Sequence, residues 1–169
     1  VGYVAYFYKT RHSLDMSKAD TILVFTARSA ERIIREGGSQ AWVLNAVWAR
    51  QCRYLVCTQN QHHLDHKFSD ATEHHGTGFL VGRISKLTPA VAEPDRWLIE
   101  IDEYARINSP ELWDGGRNPV RYTDREELGI DVDALQFEKP HAHPTPLARH
   151  RPLLNPPASP SHRRKRAWP

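Results

Sequence analysis

A chain of 169 residues, 40% hydrophobic and 25% charged, is the length of one domain with room for tails. From Pro140 onward come eight of the 12 prolines, six of the 23 Lys/Arg and no acid, so the rest carries 17 basic against 20 acidic residues. The isoelectric point near 9.0 therefore belongs to the tail. That excludes a basic binding face spread over the fold, and no apolar run approaches the ~18 residues of a helical membrane span.

The only methionine is Met16, and globular composition begins at Thr21. Residues 1–20 are expected to be a disordered leader, with Val1–Asp15 lying upstream of the natural start. An edge strand at Gly2–Tyr8 is the alternative. The aromatic cluster Tyr3–Tyr8 lacks the apolar core and small-residue cleavage site of a signal peptide.

Thr21–Phe25 is a short continuous apolar run and reads as a buried strand. Thr26 is placed to cap the helix that follows. In it Ala27, Ala30, Ile33 and Ile34 share one face, and Gly37-Gly38 ends it. Gln40–Leu44 and Arg53–Thr58 read as strands. The thiols Cys52 and Cys57 are five apart and would point to opposite faces of a strand. They are read as reduced, buried and unbridged, which fits the cytoplasm.

Gln59–Thr77 is a polar loop with five histidines. Phe79–Leu87 is the strongest strand, and Gly82 inside it signals a bulge or a close backbone approach. Arg96–Asp102 alternates, with Trp97, Ile99 and Ile101 on one face. Glu103–Asn118 reads as a long irregular connection, a type often functional. Pro119–Tyr122 is expected as a short edge strand. Thr123-Asp-Arg-Glu126 has the spacing of a capping box before a short helix, and Asp131–Leu135 reads as a further turn of helix. The sequence from Pro140 to Pro169 is too polar and Pro-rich to offset its ordering entropy, so a disordered basic tail is expected. Residues 21–139 are left as the domain.

Among these elements no nucleophile elbow and no phosphate loop occurs. The histidine loop offers His62, His66 and His74 as metal ligands, but without the Glu that makes a zinc helix motif specific. Glu100 and Asp102 are a weaker carboxylate pair. A small metal-dependent nuclease or toxin-like enzyme is one reading of those groups. No cofactor is indicated.

A richer set is aromatic and basic. Trp42, Trp48, Tyr54, Trp97, Tyr104, Trp113 and Tyr122 span 42–122. Trp97 and Trp42 suit a core. Trp48, Tyr104 and Trp113 are read near loops, where a ring could hold an unstacked base. Asn45, Asp114 and Asn118 could read its edge, and Arg50, Arg106 and Arg117 could hold phosphates. A protein-interaction surface built on the same aromatics is a further alternative.

Five segments carry a family likeness: Trp42-Val-Leu-Asn45, Arg53-Tyr-Leu-Val-Cys57, Gly78-Phe-Leu-Val-Gly-Arg-Ile-Ser85, Arg96-Trp-Leu-Ile-Glu-Ile101 and Asn118-Pro-Val-Arg-Tyr122. Over Thr21–Phe137 the chain resembles the PUA-like superfamily, within it the EVE, YTH and ASCH group. The resemblance implies an α+β fold. Its body would be a small, twisted, partly closed β-barrel of five to six strands with short flanking helices. It also implies binding of RNA, or of DNA or RNA with a modified base. By position, Trp42, Asn45, Trp48, Tyr104 and Trp113 would form the pocket. The G-x-K-x-x-E-x-R signature of ASCH domains is absent, which argues against that group's hydrolytic chemistry. The expected function is a nucleic-acid or modified-base binding module, not a catalyst.

Overall fold

The computed structural model describes residues 18–63, 69–91, 93 and 95–140. The expected tail lies outside them except for Pro140, as does the expected leader except for Lys18–Asp20.

A mostly-sheet domain is built from β1 (Thr21–Thr26), α1 (Ala30–Glu36), β2 (Gly38–Trp42), α2 (Ala46–Ala49), β3 (Tyr54–Gln59), β4 (Gly78–Pro89), β5 (Trp97–Ser109) and β6 (Val120–Thr123). The strands form one six-stranded sheet in the order β2-β5-β4-β3-β1-β6. It curls into a half-barrel with a few short helices beside it. Only β1 and β3 run parallel; every other neighbouring pair is antiparallel.

Alternation along the strands supplies two cores, one on each face of the sheet. Ile22 and Val24 of β1 join Leu55, Cys57, Leu80, Ile99, Ile101 and Val120 on one face, under Ala30 and Ile33 of α1. Leu23 joins Val56, Val81, Trp113 and Val132 on the other, covered by Leu128, Ile130, Leu135 and Phe137. The uninterrupted apolar run of β1 and the all-buried β3 follow from this two-sided cover.

Gly37 caps α1 at φ 74°, a left-handed conformation that glycine adopts without penalty. Gly82 fulfils the close-approach expectation: a Cβ there would lie 2.6 Å from Cγ2 of Ile101 on the neighbouring strand.

Several local expectations need correction. Thr26 does not cap α1. It is still paired in β1 opposite Gln59, and Ser29, held extended, accepts from the Arg32 N–H instead. The strand expected at Gln40–Leu44 starts at Gly38 and ends at Trp42. The stretch from Glu103 is not irregular: β5 continues to Ser109 because the long β4 pairs with it throughout, up to Gly78 opposite Ser109. Three register shifts along that ladder break the alternation and hid the strand. Trp42 and Trp97, expected in the core, are half-buried.

The two expected C-terminal helices are turns. Thr123 ends β6, so its hydroxyl donates to Glu127 (2.7 Å) while Asp124 accepts from the Glu127 N–H (2.7 Å). Ala134 and Leu135 make only three-residue turn bonds to Asp131 and Val132. No described helix is long and apolar enough to cross a membrane.

Candidate functional site

Because β1 and β3 are parallel, their C-terminal ends open on the same side. Ligands commonly bind outside the carboxyl ends of parallel strands. A cleft of about 600 Å³ lies there. Phe25 and Thr26 end β1 and line it, and Asn60 follows β3 on the same wall. Gln40, Ala41 and Trp42 of edge strand β2 form the facing wall, with Glu93 and Arg96 from the β4–β5 turn. Arg28, His63, Arg117 and Pro119 complete it.

The β1 side of the cleft is fixed by a buried amide. Gln59, the last residue of β3, is fully buried. Its Nε2 donates to the carbonyls of Thr26 (2.9 Å) and Arg28 (3.3 Å). Its Oε1 accepts from the N–H groups of Thr72 and Glu73, both at 3.2 Å. One side chain thus joins the β1–α1 turn to the end of the histidine loop. Asp70 adds a second tie, accepting from the Ser29 N–H (3.0 Å) and hydroxyl (2.8 Å) at the start of α1.

The aromatic part of the cleft is supported from behind. Phe25 stacks on Trp113 at 4.8 Å and 3°, and Arg121 lies 5.1 Å over Trp113. Trp113 is buried and therefore backs the cleft without lining it. Trp42 is half-buried, with its indole N–H donating to Ser39 Oγ at 3.0 Å.

Charge in the cleft is mostly paired. Arg28 ion-pairs with Glu36, which also accepts from Arg32 and Gln40. Burial lowers the Arg28 guanidinium from its ordinary value, with Glu36 opposing. Burial pushes Glu36 up, but the Arg32 and Gln40 hydrogen bonds and the two guanidinium charges outweigh it and hold the carboxyl down. Arg96 pairs with Glu93 and donates to the Ala41 carbonyl at 3.1 Å. Arg117 is exposed, and no ion pair or side-chain hydrogen bond engages it among the described residues.

Of the residues nominated from sequence, Trp42 and Arg117 line this cleft and Trp113 stands behind it. The others are elsewhere. Asn45 caps α2, accepting from the Val47 and Trp48 N–H groups. Trp48 is exposed and sets its edge against Tyr122 at 5.8 Å. Arg50 ends α2, 5.6 Å over Trp97. Tyr104 is not in a loop: it is buried in β5, donating to Glu138 at 3.0 Å. Arg106 pairs with Glu31 at 2.9 Å, and Asp114 pairs with Arg121. Asn118 accepts from the Val120 N–H at 3.1 Å, a turn contact. No single pocket gathers the ten.

The histidines divide likewise. His62 lies 4.5 Å from His75, His63 lines the cleft, His74 is exposed, and His66 lies outside the described residues. Among the described residues no group of three His, Cys, Asp or Glu is placed to hold a metal. Glu100 accepts from the Thr88 hydroxyl and Glu103 pairs with Arg83 at 3.0 Å. Both thiols are free and buried. Burial, then Asp20, pushes Cys52 up to about 11, and burial pushes Cys57 up as well. Neither is activated as a nucleophile.

Phe25, Arg28, Gln40, Asn60 and Arg96 escaped the sequence reading. For Phe25 and Asn60 the one available signal was position, at the ends of two strands whose parallel pairing the sequence does not reveal; Arg28, Gln40 and Arg96 come from the β1–α1 turn, β2 and the β4–β5 turn. No protein-family model, curated protein or solved structure matches the chain.

Proposed function

We propose that the chain is a nucleic-acid binding module of PUA-like type, taking one unstacked base, plain or chemically modified, into the cleft at the ends of β1 and β3. The observation that carries this reading is the lining itself. Two aromatic side chains, Phe25 and Trp42, share a cleft with two amides, Gln40 and Asn60, and with Arg117. Aromatic faces hold a base by stacking, amides read its edge, and a guanidinium meets its phosphate. The curled six-stranded sheet with short helices is compatible with the PUA-like arrangement.

Without the basic tail the chain carries 17 basic and 20 acidic residues, so affinity would come from the cleft and not from a general field. The cytoplasm, where Cys52 and Cys57 stay reduced, is the compartment this reading assigns.

The test is binding of the full chain to a panel of plain and base-modified RNA and DNA oligonucleotides at two salt concentrations. Preference for one base that survives raised salt supports the reading. Affinity that collapses with salt and ignores base identity reflects the tail alone and overturns it, as does no binding at all.

A further inference from the structure

Three arginines line the cleft, but they are not equivalent. Arg28 is paired with Glu36, which it shares with Arg32, and Arg96 is paired with Glu93, which itself stands in the wall. Arg117 is the remaining guanidinium, exposed and without an ion-pair or side-chain hydrogen-bond partner among the described residues. The nearby Arg121 is occupied by Asp114. Among the described residues the cleft therefore presents one unpaired guanidinium, with Gly116 and Pro119 in the same lining.

We infer that the site takes a nucleotide unit bearing a single phosphate group, with Arg117 as its phosphate contact, and does not take nucleoside polyphosphates. The inference rests on the base-binding reading above and narrows it. Among the described residues a second phosphate would find no unpaired guanidinium. It would compete with Glu36 for Arg28, or with Glu93 for Arg96, and would meet the Glu93 carboxylate. A base with one phosphate group matches both the stacking surface and the one unpaired guanidinium. That chemistry is met in an internal nucleotide of a strand and in a free nucleoside monophosphate.

Calorimetric titration of the full chain with a nucleoside and its 5′-mono-, di- and triphosphate, for each common base, tests this. The first phosphate is expected to tighten binding about tenfold through a charge-assisted contact. The second and third should add less than about twofold on the same grounds. Arg117→Ala should erase the gain from the first phosphate and Arg117→Lys should keep part of it, with the far-ultraviolet circular dichroism of both variants showing that they are folded. Steadily tighter binding of di- and triphosphates overturns the inference, as does a phosphate gain that survives Arg117→Ala.

A trinucleotide with the same base in its middle position separates the two sources. Binding at least as tight as the monophosphate identifies a strand. Weaker binding identifies the free nucleotide; it then removes the nucleic-acid reading and leaves the single-phosphate inference standing. If no nucleoside or nucleotide of any length binds, the base-binding reading falls and this inference with it.

Discussion

Tyr122 on edge strand β6 holds both backbone polar groups of Asn45, which lies just beyond the opposite edge strand β2. The phenol oxygen accepts from the Asn45 N–H at 2.8 Å, and its hydroxyl donates to the Asn45 carbonyl at 3.1 Å. The two strands are the outermost of the six, so one side chain closes the seam that the ladder leaves open. Trp48 packs its edge on the same ring.

Tyr122→Phe keeps the ring and removes both bonds. Asn45 is exposed, so water can replace much of what is lost. A destabilisation of about 1 kcal/mol is expected, read as a shifted urea midpoint with unchanged slope. Amide exchange at Asn45 should accelerate in the same variant. Unchanged protection there would show that the seam is closed by packing alone.

Gln59 should matter more. Its amide meets four backbone groups from a fully buried position. Gln59→Ala orphans two carbonyls and two N–H groups and should cost about 3 kcal/mol. Gln59→Glu keeps the shape and the acceptor but turns a carboxylate toward the Thr26 and Arg28 carbonyls. It should cost a comparable amount near neutral pH and recover part of it in acid, as the group gains a proton to donate. A Gln59→Glu variant as stable as the parent would remove Gln59 as the tie between the β1–α1 turn and the histidine loop.

How much of this was legible depends on the range of the interaction. Thr21–Phe25, the apolar face of α1 and the close approach at Gly82 follow from local pattern, and each is present. Glu103–Ser109 was hidden because bulges shift the register and hydrophobic alternation fails across them. The capping-box spacing at Thr123 misled because the Thr123 hydroxyl donates to Glu127 and Asp124, not Thr123, accepts from a following backbone N–H. The cleft was the least legible part. Loop aromatics were the visible signal, yet Tyr104 went to the core and Trp113 behind Phe25. What builds the cleft is the parallel pairing of β1 and β3, a contact some 33 residues apart in register, from Thr21 to Tyr54.

Side-chain removal should separate the cleft from the outer aromatics. Trp42→Ala is expected to weaken the preferred oligonucleotide by tenfold or more, since a stacked base is worth about 1–3 kcal/mol. Trp48→Ala should leave affinity within about twofold, because Trp48 sits at the seam against Tyr122 and not in the cleft lining. The reverse ranking, with Trp48 dominant, would move the binding surface to the exposed Val43, Val47 and Trp48 patch.

Alkali should unfold the domain progressively. Burial and then Asp20 push the Cys52 thiol from 9.0 up to about 11, and burial raises Cys57 too. Burial also raises Tyr122, against the opposing Asn45 hydrogen bond. In the unfolded chain these groups release their protons first. Above the ordinary thiol value the native state therefore binds more protons than the unfolded state, and stability falls as pH rises. The thiol part is fully present below 9.0, and the share of Cys52 is lost as pH climbs through about 11. Allowing for solvent near Cys52, its share is about 1–2 kcal/mol. Urea unfolding at about pH 8 and about pH 10.5 should show that loss in the parent and a smaller one in Cys52→Ser, which cannot ionise there. Equal losses in the two proteins would assign the alkaline instability to the other raised groups, Cys57, Tyr104 and Tyr122.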